Sequence, residues 1–180
     1  MKKKNPNLID ITLMPELDQF AIFAFQTVNQ KCYQFASYMN RVFGLDMSNI
    51  GCMELADFYT NPVQLPLFFY SDSENRETYQ LVDISGNDLI KELKDYDKLL
   101  IMTGEISKRK ALEIEQRFAE VEGVLFFHHF KFDDTIKDAR KQEKLKLCFG
   151  SLILLLEEHR IQHKKQKEEI LKSRQTLTCD

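Results

Sequence analysis

FAIFAFQTV, residues 20–28, is an almost wholly apolar run of strand length and rich in Phe. It predicts a strand buried on both faces. Directly after it the period changes: Cys32, Phe35, Ala36, Met39, Val42 and Phe43 recur three and four residues apart, so residues 29–43 read as an amphipathic helix stopped at Gly44. A strand that feeds straight into a helix opens a βα unit.

The rest of the chain extends that unit. Residues 45–62, with Gly51, Pro62 and scattered apolar side chains, read as a connector holding at most a short helical turn. LPLFFYSD (65–72) and TYQLVDIS (78–85) are β-rich runs around a polar loop, which is a hairpin pattern. DLIKELKDY (88–96) reads as a loop or one helical turn, and KLLIMTG (98–104) as a further short strand. A second helix is expected over 106–120, with Ile106, Ala111, Ile114, Phe118 and Val121 on its apolar face, and Gly123 breaks it. GVLFFHHFKF (123–132) gives the last strand, with Val124, Phe126, His128 and Phe130 on one face and Leu125, Phe127, His129 and Lys131 on the other.

The predicted order is β-α-β-β-β-α-β followed by a helical tail. It points to an α/β (α+β) two-layer sandwich with a mixed or antiparallel sheet and ferredoxin-like character. Residues 97–132 read as a β-α-β unit with a right-handed crossover. The expected divisions are an N-terminal arm at 1–18, the sandwich at 19–132, a helical extension at 133–175 and a short tail at 176–180.

From Asp133 to Arg174 the chain has no Pro and a single Gly, Gly150, so one or two long helices are expected. Leu145, Phe149, Leu152 and Leu156, then His159, His163 and Ile170, follow an approximate heptad seam. The apolar half stops near Leu156. The first half reads as docked on the domain or on a partner, and the second as projecting into solvent.

Composition sets the outer bounds. With 180 residues, 43% hydrophobic and 29% charged, the chain suits a soluble globular protein and not a disordered, collagen-like or disulfide-scaffold one. The net charge of −3 conceals an asymmetry: residues 140–175 carry ten basic side chains against five Glu (+5), whereas residues 1–139 carry 15 basic against 22 acidic (−7). An acidic body bears a basic arm. Cys32, Cys52, Cys148 and Cys179 are too far apart in sequence for a close-spaced metal knuckle or redox pair, so free thiols are expected. The start has no signal-peptide h-region, and the longest apolar stretch, Leu145 to Leu156, is short of the roughly 20 residues that span a bilayer. A cytoplasmic protein without membrane contact is expected.

Few residues suggest chemistry. His159 and His163, four apart on a helix, share a face as zinc ligands do, but Arg160 stands where a metalloprotease has its Glu. His128 and His129 are adjacent on a strand and point to opposite faces, so they cannot act together on one small substrate. The six glycines are dispersed and form no phosphate-binding loop. Thr103 to Ser107 lies between a strand and a helix, where Ser107 suits an N-cap. No catalytic set, metal site or cofactor is therefore predicted.

The residues that remain suggest contact surfaces. Leu145, Phe149, Leu152 and Leu156 would form a docking face for another protein or a second copy of the chain. Lys164, Lys165 and Lys167, with Lys2, Lys3 and Lys4, form a basic patch that can meet RNA or an acidic partner, although it lacks aromatic stacking residues. The 14 Phe residues are expected mainly in the core.

Residues 90–97, Ile90-Lys91-Glu92-Leu93-Lys94-Asp95-Tyr96-Asp97, followed by the apolar strand from Lys98, resemble the signature of the IPExxxVDY family of small bacterial proteins. Ile90, Glu92 and Asp97 match, whereas Lys91, Tyr96 and Lys98 stand where that signature has Pro, Val and Tyr. Tyr38-Met39-Asn40 near the end of the first helix and the Phe-rich hairpin extend the similarity over about residues 15–132. The resemblance implies this fold class in a bacterial cytosol and carries over no catalytic residue. The leading expectation is a non-enzymatic interaction module with the C-terminal helix as its docking or oligomerisation element. An RNA- or nucleoprotein-associated factor and a small-ligand-sensing domain are the alternatives.

Overall fold

A computed structural model describes residues 20–28, 31–55, 63–86, 93–104, 108–132 and 139–176. The N-terminal arm with its lysines, Ile90 and Glu92 of the signature, the expected N-cap Ser107, and Cys179 lie outside the described residues. The elements are β1 (Phe20–Thr27), α1 (Cys32–Phe43), β2 (Ser48–Leu55), β3 (Val63–Asp72), β4 (Glu77–Asp83), β5 (Lys98–Thr103), α2 (Lys108–Arg117), β6 (Val124–Phe130) and α3 (Ala139–Thr176). A single turn of 3-10 helix at Phe118–Glu120 tightens the end of α2.

The strands form one six-stranded sheet in the order β2-β3-β4-β5-β1-β6, antiparallel throughout. The fold is thus α+β, as expected. Two details differ from the sequence reading. The connector after α1 is not a loop with a helical turn but contains β2. The unit β5-α2-β6 is split, because β1 lies between β5 and β6 and pairs antiparallel with both.

β2 is hard to read because it is irregular. Gly51 interrupts it with φ +99, and the register with β3 shifts between Asn49 and Cys52. The Asn49 side-chain oxygen accepts the Gly51 N–H at 2.7 Å, holding the bulge. A bulge erases the strict alternation by which a strand is recognised.

Alternation sorts the sheet residues into two faces. Ala21, Phe23, Phe25, Phe68, Tyr79, Leu81, Leu100 and Met102 join Cys32, Phe35, Ala36 and Met39 of α1 and Ala111 and Ile114 of α2 in one core. Phe118 lies at its centre, fully buried, with ring centroids 4.9 Å from Phe23, 4.8 Å from Phe25, 5.5 Å from Phe43 and 5.2 Å from Phe127. Most of these contacts are edge-to-face, the arrangement favoured by the ring quadrupoles. One residue at the end of α2 therefore binds β1, α1 and β6 together. On the opposite face Ile22, Ala24, Leu65, Leu67, Val82, Leu99 and Ile101 are buried as well. β1 is buried on both faces, as its sequence predicts.

The described residues divide into two compact units, one with the sheet and one with α3. In the second unit α3 is one uninterrupted helix of 38 residues, about 57 Å long at 1.5 Å per residue.

At the end of β5, Gly104 has φ +115, and a Cβ there would fall on the carbonyl oxygen of Arg76 in the β3–β4 turn. Backbone conformation and close approach both demand glycine. Gly104→Ala is expected to destabilise the protein by about 2 kcal/mol or more, measured as a lower midpoint in denaturant. A variant as stable as the parent would contradict this packing.

Candidate functional site

Of the signature residues, Asp97 can be followed in the structure. Asp97 precedes β5, and its carboxylate accepts the Thr27 hydroxyl at 2.6 Å and the Thr27 N–H at 3.1 and 3.2 Å. The Asp97 N–H donates to Phe25 O at 2.9 Å. Asp97 thus fixes the end of β1 to the start of β5. Asn40, also among the residues of the resemblance, does the same for the turn after α1: its amide oxygen accepts the Met47 N–H at 2.9 Å and its NH₂ donates to Met47 O at 3.1 Å. Both polar side chains are occupied by backbone groups, which leaves them as structural ties.

Next to Asp97 lies a buried charge. The Lys98 side chain is 1% exposed, and its ammonium donates to Asp83 at 3.3 Å, to the Ser85 hydroxyl at 3.0 Å and to Asp97 O at 3.4 Å. Asp83 and Lys98 are cross-strand partners in β4 and β5, so the sheet register itself brings them together. The Ser85 hydroxyl also donates to Asp83 at 2.5 Å.

Cys32, in the first turn of α1, is the thiol of this corner. A helix N-terminus and a nearby ammonium favour a thiolate. Burial and the Asp83 carboxylate outweigh them and push the Cys32 thiol up to about 12. At neutral pH it is protonated, and the corner presents no activated sulfur nucleophile.

A buried carboxylate, Glu77, receives Lys110 of α2 at 2.5 Å and the Tyr79 hydroxyl at 3.0 Å. Burial and the neighbouring Glu77 charge hold the Tyr79 hydroxyl well above its usual range, so it stays a donor. These contacts tie α2 to the first residues of β4.

The two strand histidines point to opposite faces. His129 pairs with Phe23 in register, its ring centroid is 4.3 Å from that of Phe23, and its Nδ1 is 3.3 Å from Glu115. His128 pairs with Ala24 and packs 4.6 Å from Phe130 in a group that also holds Tyr96 and Phe126. Burial lowers the pKa of both below the ordinary histidine range, so the neutral forms dominate at pH 7. Phe126 is 54% exposed and Leu125 63%.

The predicted docking residues all fall on α3. Leu145, Phe149, Leu152 and Leu156 are buried, and Ile153 joins them, completing a stripe at i, i+4, i+7, i+8 and i+11. None of residues 157–173 is buried, and Lys164, Lys165 and Lys167 are exposed. Glu168 and Glu169 stand one turn after Lys164 and Lys165, so the basic patch alternates with acids along the helix surface. His159 and His163 have no third metal-binding side chain beside them: among the described residues no group of three or more His, Cys, Asp or Glu is placed to hold a metal ion. No described helix is long and apolar enough to cross a membrane.

No family model, curated protein or solved structure matches the chain. The roles above therefore rest on its own geometry.

The sequence reading passed over Asp83, Lys98 and Glu77. Lys98 at the head of the apolar KLLIMT run was the available signal, since a charge in that position needs a partner on the neighbouring strand. Removing either member of its pair should have unequal effects. Asp83→Ala strands a buried ammonium and is expected to cost about 3 kcal/mol, whereas Lys98→Met preserves volume, leaves Asp83 with Ser85 and should change stability by less than about 1 kcal/mol. Equal losses in urea unfolding would refute a structural role for the pair.

Proposed function

We propose that this chain is a non-enzymatic protein–protein interaction module whose C-terminal helix is the docking or oligomerisation element. The observation that carries the reading is the division of α3. Its apolar stripe, Leu145, Phe149, Leu152, Ile153 and Leu156, is confined to the first half, and a charged stretch without a buried residue follows. The Glu-, Lys- and Gln-rich stretch after Leu156 favours helix by its composition, and it extends the helix as a charged surface open to a partner. The polar clusters support the reading from the other side, because Asp97, Asn40, Lys98 and Glu77 all hold backbone or structural partners.

Kinship with the IPExxxVDY family and a cytoplasmic setting belong to the same proposal. Asn40 and Asp97, two residues of the resemblance, both tie backbone segments, as residues that define a fold would.

An RNA-associated role is the second reading, favoured by the exposure of Lys164, Lys165 and Lys167. The interleaved Glu168 and Glu169 weaken the field that phosphate contacts require. It requires binding that declines with salt.

The leading reading is tested by comparing the full chain with one ending at Lys141. Loss of the helix is expected to lower the melting temperature or the solution mass and to remove proteins that co-purify with the full chain. Equal mass, equal stability and an unchanged set of co-purifying proteins would overturn it.

A further inference from the structure

We draw no further inference here: the strongest candidate, the aromatic surface patch that Tyr96 forms with Phe126 and His128 of the edge strand β6, is an unpartnered face for which nothing in the structure shows what covers it.

Discussion

The fold depends on β1 being the middle of something. Its side chains from Ala21 to Phe25 are buried on both faces, and its backbone pairs with β5 on one side and β6 on the other. A strand with that composition cannot sit at an edge or turn a face to water without exposing several large apolar side chains, each worth about 2–3 kcal/mol when buried. The rest follows from meeting that demand: β6 must return across α2 to pair beside β1, and Phe118 must close the gap where α2 ends. The exposed ion pairs, such as Arg41–Glu122, are minor beside this, since pairs of that kind are worth about 0–1 kcal/mol.

Most of this was legible in the sequence where one period dominates. α1 and α2 show their three- and four-residue spacing, and residues 20–28 announce a strand closed on both faces. β2 was not legible, because the Gly51 bulge breaks its alternation and its residues are mixed in polarity. Nor could local pattern place β1 between β5 and β6. That order is a matter of long-range pairing, and a βα passage looks the same whether its strands are neighbours or separated by a third.

The candidate sites divide in a similar way. The apolar stripe of α3 was visible as a seam, and the structure adds Ile153 to it. The polar corner of Asp83, Lys98, Asp97 and Cys32 was hidden, since its members come from β4, the start of β5 and the start of α1 and meet only through the register. What the corner does is hold segments together. Its carboxylates take up Thr27, Ser85 and Lys98, and burial keeps the Cys32 thiol protonated. The exposed groups that remain lie on the charged extension of α3 and on β6, where Leu125 and Phe126 face water.

Native-state hydrogen exchange tests the central claim most directly. If β1 organises the fold, its amides from Ile22 to Phe25 should be among the slowest to exchange, opening only with global unfolding, while those of bulged β2 exchange through local opening at lower free energy. Exchange from β1 as fast as from β2 would contradict the account.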